Sequence, residues 1–277
     1  MSTIILQGSN LTIKDANSIA NQFNGKLHSI GNFYQVKINH ALSTTEINQL
    51  REHYHFDINQ LPADFEPKQV RLLVTDMDST FINIECVDEI ADFAGIKTKV
   101  AEITESAMRG EIDFETSLTR RVRLLRGLST SVLSKVYEER LRINQGAEVM
   151  LQTLRDRNIR IALVSGGFTY FTDRLQHQYQ LDYTLANTLE IKEGKLTGGI
   201  HGKIVGAQSK ADFLLALCDK LDINPMQVIA MGDGANDLLM MKEAGLSIAY
   251  HAKPKVQRQA SVAINYCGLD GLPGLLG

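Results

Sequence analysis

Three apolar segments, each ending in polar or glycine residues, constrain the fold more than any other feature of the sequence. They are VRLLVTD at 70–76, IRIALVSGG at 159–167 and QVIAMGDG at 227–234. A continuous apolar run of this length is typical of a strand that helices cover on both faces of a parallel sheet. Helical patterns lie between and after these runs, at 146–157, 168–178, 208–221 and 235–243. The alternation predicts a doubly wound, Rossmann-like α/β fold.

A mainly helical stretch at about 82–145 interrupts this alternation. Its patterns are VDEIADFAG, KVAEITESAMRG and FETSLTRRVRLLRG. Asp113 directly precedes the last of them and has the side chain of a helix N-cap. We interpret the stretch as a helical cap inserted into the α/β domain.

The first 66 residues predict a separate small α+β module. The pattern gives a strand at 4–7, a helix at 12–23, strands at 26–29 and 33–38, a helix opened by Ser43 or Thr44, and a strand near 55–58. This βαββαβ order resembles the ferredoxin-like modules that include ACT domains. A packing or dimerisation role and an amino-acid-sensing role both remain open, because no binding motif is present.

A linker and a short tail complete the predicted organisation. The segment 59–69 contains two prolines among polar residues, as linkers do. It divides the chain into residues 1–66 and a larger domain at 67–277. The final segment, GLDGLPGLLG, is rich in glycine, and we expect it to be a loose end.

Charge and cysteine content argue against several classes of protein. The formal net charge of −3 gives no long-range attraction to nucleic acid. The three cysteines are far apart and form no CxxC pair, so neither a disulfide framework nor a zinc site is predicted. No apolar run reaches the ~18 residues of a membrane span, and no export signal is evident. We expect a cytoplasmic protein that acts on a small molecule.

The first candidate catalytic segment is DMDST, at 76–80, where a buried strand should end. A carboxylate at that position, Asp76, could attack phosphorus and form an aspartyl-phosphate. Asp78, two residues further on, could protonate the leaving oxygen. Taken alone, the segment could equally be an acidic turn that ends a strand.

Two further elements could hold a phosphoryl group. Ser165 offers a hydroxyl and Gly166 an accessible backbone amide, directly after the second apolar strand and before a helix. Lys210, near the start of the 208–221 helix, could offset the charge of the phosphoryl oxygens. Each has a simpler explanation, since serine and glycine are common in turns and most lysines are solvated.

The segment GDGANDLLM, at 232–240, supplies candidate metal ligands. Asp233 and Asp237 offer the hard oxygen atoms that Mg²⁺ prefers, and the flanking glycines allow a tight backbone path. Asn236 could hydrogen-bond nearby loops, or could simply cap a helix. Because the carboxyl ends of parallel strands meet at one edge, we expect these acids to lie near Asp76 and Ser165.

The order DxDxT, then Ser, then Lys, then GDxxxD resembles the haloacid dehalogenase superfamily over about residues 70–250. The resemblance implies a phosphatase with Asp76 as nucleophile and Asp78 as general acid and base. It also implies that Asp76, the Asp78 carbonyl and Asp233 hold Mg²⁺, with Asp237 in support. Ser165, Gly166 and Lys210 are then expected to bind the phosphoryl group, with Asn236 among the substrate-binding residues.

The cap extends the resemblance to phosphoserine phosphatases, through DMDSTFINIECVDEIADFAG and ESAMRGEIDFETSLTRRVRLLRGL. In that family an acid contacts the substrate amino group and an arginine its carboxylate, and Glu85 and Arg121 stand at the matching places. Met108 and Phe114 match the apolar residues that close over the substrate. The resemblance implies hydrolysis of O-phospho-L-serine, the last step of serine synthesis. A homodimer is a separate expectation, which fits the dimerisation role left open for the N-terminal module.

Three alternatives to this function stay open from the residues alone. The arginines of the cap could form an ordinary solvated helix face. The cap could select another small phosphorylated alcohol. The strand-end acids and lysine could also belong to a phospho-accepting switch, although receivers lack the second acid and a cap of this size.

Overall fold

The computed structural model describes residues 2–277, apart from the side chain of Met108, and contains two β-sheets. The strands are β1 Ser2–Gln7, β2 Lys26–Ile30, β3 Phe33–Ile38, β4 Asp57–Gln60, β5 Leu72–Asp76, β6 Arg160–Phe168, β7 Tyr183–Lys192, β8 Lys195–His201, β9 Val228–Gly232, β10 Leu246–Tyr250 and β11 Val262–Ile264. The helices are α1 Ile13–Gln22, α2 Thr44–His53, α3 Cys86–Phe93, α4 Lys97–Met108, α5 Phe114–Leu124, α6 Ser131–Lys135, α7 Ala147–Asp156, α8 Thr169–Tyr179, α9 Ala207–Leu221, α10 Leu238–Glu243, α11 Pro254–Gln257 and α12 Gly271–Leu276.

The larger sheet has seven strands in the order β11-β10-β9-β5-β6-β7-β8. Its neighbouring strands are parallel except for the edge pair of β7 and β8. All five residues of β5, β9 and β10 are buried, as strands covered on both faces should be. The predicted doubly wound α/β fold is confirmed. The antiparallel hairpin of β7 and β8 was not predicted.

The smaller sheet is antiparallel, in the order β2-β3-β1-β4, and its elements follow the predicted βαββαβ order. Ser43 is the N-cap of α2, where its hydroxyl accepts from the Glu46 amide. β4 lies at 57–60 rather than 55–58, because its pairing with β1 starts at Asp57 opposite Gln7.

The smaller sheet packs on both faces. Ile4 and Leu6 join the apolar cluster of α1 and α2, whereas Ile5, on the opposite face, joins the cluster of the large domain. At its edge, the Asn59 side chain exchanges hydrogen bonds of 2.8 and 2.9 Å with the backbone of Ala263 in β11. The side-chain amide of Asn59 thereby satisfies the backbone N–H and C=O groups of Ala263 on the edge strand, as a neighbouring strand would. The division near residue 66 remains a prediction.

The stretch between β5 and β6 is helical, with α3 to α6 before α7. Asp113 is the N-cap of α5, where its carboxylate accepts from the Thr116 amide at 2.7 Å. The segment after α5 is tied to the β-hairpin: the Gly127 amide donates to the Leu196 carbonyl at 2.8 Å, and the Leu196 amide donates to the Leu128 carbonyl at 2.9 Å. These bonds fix the far end of α5 relative to the large sheet.

The C-terminal segment is not loose, which corrects our expectation. Leu272, Leu275 and Leu276 are 0–3% exposed within α12. The Gln7 amide group donates to the Gly271 carbonyl at 2.7 Å. The glycines obscured a three-residue apolar spacing, from Leu269 through Leu272 to Leu275, that places leucines on one face of a helix.

We predict that Leu272→Ala lowers the free energy of unfolding by about 2–5 kcal/mol, because it opens a cavity where α12 meets the smaller sheet. Urea unfolding followed by circular dichroism measures the change. Leu239→Ala removes the same atoms from a side chain that is 43% exposed and should cost far less. Equal losses in the two variants would contradict the packing of α12.

Candidate active site

Three acids from separate segments meet at the carboxyl edge of the large sheet. Asp76 is the last residue of β5, Asp233 directly follows β9, and Asp237 lies one turn later. One carboxylate oxygen from each lies within 4.8 Å of the others. β5 and β9 are hydrogen-bonded neighbours, so the ends of these two strands bring residues 157 positions apart together.

Lys210 neutralises part of this acidic cluster. Its ammonium group donates to Oδ1 of Asp76 at 2.5 Å and to Oδ1 of Asp237 at 2.7 Å. The side chain is fully buried, with 0% exposure. Burial alone would lower the pKa of Lys210, but the charges of Asp237 and Asp76 outweigh it and raise the pKa, so the lysine is charged.

The cluster still contains more acids than bases, since three carboxyl groups lie beside one lysine. Burial and the neighbouring Asp237 raise the pKa of Asp76 well above its usual value, against the opposing effect of Lys210. Burial, followed by Asp237 and Glu85, raises the pKa of Asp233 to about 6. A bound cation would stabilise the ionised form of these carboxylates. The donors are hard oxygen atoms, so the described residues fit a divalent metal ion such as Mg²⁺.

Asp78 lies beside the cluster, in the loop that leaves β5. Its Oδ1 accepts from the Cys86 amide at 3.0 Å, and its Oδ2 lies 3.4 Å from the Ser165 hydroxyl. Ser79, with φ of 55°, occupies the left-handed region, which non-glycine residues seldom adopt. Burial, then the charge of Glu85, raises the pKa of Asp78 to about 7. A carboxyl group with this pKa can both donate and accept a proton near neutrality.

The Ser165 segment is shaped by close contacts with the site. The Gly167 amide donates to the Ser165 hydroxyl oxygen at 2.7 Å, and Ser165 is fully buried. A Cβ at Gly167 would lie 2.7 Å from Oδ2 of Asp78. A Cβ at Gly166 would lie 2.6 Å from the Phe114 ring. A side chain at either position would displace the Asp78 carboxylate or the Phe114 ring, because both groups approach the backbone directly.

The acidic segment at 232–237 is stabilised by contacts between its side chains and its own backbone. Oδ2 of Asp237 accepts from the Gly234 amide at 3.0 Å. A Cβ at Gly232 would lie 2.4 Å from the Asp237 carboxyl carbon, and one at Gly234 would lie 2.2 Å from Oδ1 of Asn236. Both oxygens of Asp237 therefore have partners in the protein. These contacts hold the Asp237 carboxylate in a fixed position within the acidic cluster.

Glu85 and Arg121 face the same region from the cap side. Oε1 of Glu85 accepts from the Ser79 hydroxyl at 2.7 Å. Burial lowers the pKa of Arg121, whereas the charges of Asp88, Glu85 and Asp78 raise it, so these three acids are near enough to interact electrostatically with the guanidinium group. The structure thus brings both predicted cap residues to the acidic cluster.

Met108 is the remaining predicted residue. It is the last residue of α4, and its side chain lies outside the described residues.

Sequence reasoning missed several residues that shape the site. The Thr80 hydroxyl lies 3.4 Å from Oδ1 of Asp233. The buried Asn187 donates to the Gly166 carbonyl at 2.8 Å and accepts from the Val205 amide at 2.8 Å, so it fixes the serine loop. Thr80 stood within DMDST and could have been found there. Asn187 gave no signal, because its role depends on contacts between segments that are distant in sequence.

Comparison with protein families gives one match over most of the larger domain. A family model described as haloacid dehalogenase-like hydrolase matches residues 70–245. The phosphoserine phosphatase of Polaromonas sp. is 53% identical over 220 residues, which cover 78% of this chain and 93% of that protein. The phosphoserine phosphatase of Vibrio cholerae is 43% identical over 265 residues, which cover 95% of this chain and 80% of that protein.

Solved structures match the whole chain as well as the larger domain. A HAD family hydrolase of Salmonella enterica serovar Typhi has a TM-score of 0.90 and 34% identity, with coverage of 100% of this chain and 99% of that chain. A phosphoserine phosphatase described as a phospho-aspartyl intermediate analogue has a TM-score of 0.67 and 39% identity. That match covers 71% of this chain and 93% of the other.

We predict that Lys210→Met lowers the free energy of unfolding by about 3–5 kcal/mol in EDTA, because it leaves Asp76 and Asp237 buried without their cation. Chemical denaturation at pH 8, where the unfolded carboxylates are ionised, measures the loss. Lys242→Met, at an exposed position of α10, is the matched control and should change stability little. Wild-type stability in Lys210→Met would show that the lysine does not neutralise the cluster.

Proposed function

Because the chain belongs to the haloacid dehalogenase-like hydrolases and, within them, to the phosphoserine phosphatases, we propose that it hydrolyses O-phospho-L-serine to L-serine and phosphate. The observation that carries this proposal is the arrangement of Asp76, Asp78, Lys210 and the Ser165 loop at one sheet edge, with Glu85 and Arg121 beside them. In a serine-forming pathway this is the final reaction.

Asp76 is the proposed nucleophile. Lys210 holds Oδ1 of its carboxylate at 2.5 Å and so fixes the orientation of the group at the end of β5. In the first step the Asp76 carboxylate attacks phosphorus, and the bond from phosphorus to the serine oxygen breaks. The product of this step is an aspartyl-phosphate and free serine.

Asp78 is the proposed proton carrier. Its pKa of about 7 allows it to be protonated when substrate binds and to give that proton to the leaving serine oxygen. The resulting carboxylate then takes a proton from a water molecule, which attacks phosphorus and breaks its bond to Asp76. Asp78 ends the cycle protonated and Asp76 ends it as a free carboxylate.

Three groups are proposed to hold the phosphoryl oxygens during both steps. These are the Ser165 hydroxyl, the Gly166 amide and the Lys210 ammonium. Ser165 lies 3.4 Å from Asp78, so it already borders the position of the proton carrier. Asn236, whose side-chain oxygen lies close to Gly234, is proposed to be among the substrate-binding residues.

The proposed metal is Mg²⁺, held by the carboxylates of Asp76 and Asp233 and the main-chain carbonyl of Asp78, with Asp237 in support. When bound, Mg²⁺ reduces the repulsion between the phosphate dianion and the attacking carboxylate. Asp233 is available for this role, since its described side-chain contact is a hydroxyl at 3.4 Å rather than a lysine.

The cap residues are proposed to recognise the amino-acid part of the substrate. Glu85 would bind the ammonium group and Arg121 the carboxylate, a match of opposite charges that an unsubstituted alkyl phosphate lacks. The Phe114 ring, which contacts Gly166, would cover the substrate together with Met108.

The cellular location and the assembly state of the protein are also matters of proposal. We propose a cytoplasmic protein that forms a homodimer. The three cysteines are free thiols, which fits a reducing compartment. Within residues 2–277, no helix has the length and apolarity needed to cross a membrane. Light scattering and cell fractionation measure the two properties directly.

We predict that Mg²⁺ raises the melting temperature of the wild-type protein, since a ligand at 100 times its Kd stabilises by about 2.7 kcal/mol. Asp233→Asn should abolish this shift and the phosphatase activity together. Asp219→Asn, on the exposed face of α9, should keep both. Differential scanning calorimetry with and without Mg²⁺ is the measurement, and an unchanged shift in Asp233→Asn would exclude this residue as a ligand.

We predict that Arg121→Ala lowers kcat/KM for phosphoserine by about 10- to 100-fold, since a hydrogen bond to a charged group contributes about 1.5–3 kcal/mol. Turnover of an aryl phosphate, which has no carboxylate at this position, should stay nearly unchanged. Arg120→Ala, one residue earlier and exposed, is the control. Equal losses for both substrates would remove Arg121 from substrate recognition.

A further inference from the structure

Ser117, in the middle of α5, has a buried hydroxyl group that the proposed function does not yet use. The residue is 1% exposed, and its Oγ has no hydrogen-bond partner among the described residues. A buried serine within a helix usually donates to a carbonyl one turn earlier, which satisfies its hydroxyl. An unsatisfied buried hydroxyl costs free energy, so its presence here calls for an explanation.

The position of Ser117 on α5 points to the site. Phe114, Ser117 and Arg121 are separated by three and four residues, which places their side chains on one face of the helix. Phe114 contacts Gly166 of the serine loop, and Arg121 interacts electrostatically with Asp88, Glu85 and Asp78. With a rise of about 1.5 Å per residue, Ser117 lies about 4.5 Å along the axis from Phe114 and about 6 Å from Arg121.

Other polar atoms in the same region are also unpaired. Nε of Arg121 and Oδ1 of Asp88 are buried and have no hydrogen-bond partner within the described part of the chain. Arg121 also forms no ion pair within 4.0 Å with the acids described around it. The Ser117 hydroxyl and the Arg121 Nε–H are therefore two buried hydrogen-bond donors, on one face of α5, that have no acceptor within hydrogen-bond distance among the described residues.

We propose that Ser117 is a specificity-determining residue whose hydroxyl donates a hydrogen bond to the substrate carboxylate that Arg121 binds. This proposal rests on the proposed function, because it adds a second donor to the same carboxylate. The alternative is that Ser117 is only a small residue that α5 needs for packing, with its hydroxyl left unsatisfied.

The charges around Ser117 favour the carboxylate over the ammonium group as its partner. Glu85 and Asp88 are acids, which attract a cation. Arg121, on the same helix as Ser117, attracts an anion. A hydroxyl group can donate to a carboxylate or accept from an ammonium group. If the hydroxyl accepted from the substrate ammonium group, that cation would lie beside the guanidinium group and be repelled by it. Donation to a carboxylate that the guanidinium group also binds avoids this repulsion.

The test is Ser117→Ala, measured with two substrates and a stability assay. Phosphoserine carries the carboxylate, and phosphoethanolamine lacks only that group. We expect kcat/KM for phosphoserine to fall by about 10-fold, mostly through KM, and kcat/KM for phosphoethanolamine to stay unchanged. Stability should stay level or rise, because an unsatisfied buried hydroxyl is removed. Ser134→Ala, whose hydroxyl already donates to the Ser131 carbonyl, is the control variant.

A double-mutant cycle with Arg121→Ala sharpens the test. If both residues hold the same carboxylate, Ser117→Ala should have a much smaller effect in the Arg121→Ala background than in the wild type. An unchanged KM for phosphoserine in Ser117→Ala would overturn the proposal and support the packing role. A fall that is equal for phosphoethanolamine would also overturn it, because the hydroxyl would then face another part of the substrate.

Failure of this inference is distinguishable from failure of the proposed function. If the wild-type protein with Mg²⁺ releases no phosphate from phosphoserine, the proposed function fails whatever Ser117 does. If the wild type releases phosphate and Ser117→Ala matches it in every parameter, only the role of Ser117 fails.

Discussion

The interaction on which the site depends is the contact of one buried lysine with two buried carboxylates. Lys210 holds Asp76 and Asp237 at the edge of the sheet, where burial would otherwise disfavour both charges. Asp233 and Asp78 add two further carboxyl groups close by, and burial, followed by the charges of neighbouring acids, raises the pKa of both, so their ionisation here is costly. The folded protein thus maintains a concentrated anionic site that is only partly neutralised. Such a site suits a divalent cation and a phosphate ester, which together balance its charge.

The parallel sheet is what makes this arrangement possible. Neighbouring strands β6, β5 and β9 end side by side, so Ser165, Asp76 and Asp233 converge at one edge of the sheet. Glycines at 167 and 232 let the side chains of Asp78 and Asp237 press against the backbone. The cap adds Phe114, Arg121 and, by our inference, Ser117 along one face of a single helix. In our proposal the core supplies the chemistry, whereas α5 and Glu85, which precedes α3, supply the selectivity.

Much of this could be predicted because the information is local in the sequence. The apolar runs predicted the central strands within a few residues, and their polar ends predicted Asp76, Ser165 and Asp233 as neighbours. What could not be predicted depends on contacts between distant segments. The support of Gly166 by Asn187, the amide of Asn59 at the edge of β11, and the docking of α12 each depend on tertiary packing. Our prediction of a loose C-terminal segment was wrong, since it relied on the glycines and overlooked the leucine spacing.

The most direct test of the account is chemical identification of the group that carries the phosphoryl intermediate. Protein mixed with phosphoserine and Mg²⁺ can be quenched in acid within milliseconds and reduced with borohydride, which converts an aspartyl-phosphate to homoserine. Peptide mass spectrometry then locates the modified residue. We predict homoserine at position 76 in the wild type and none in Asp76→Asn, which should also be inactive. Modification at another residue, or full turnover by Asp76→Asn, would contradict it.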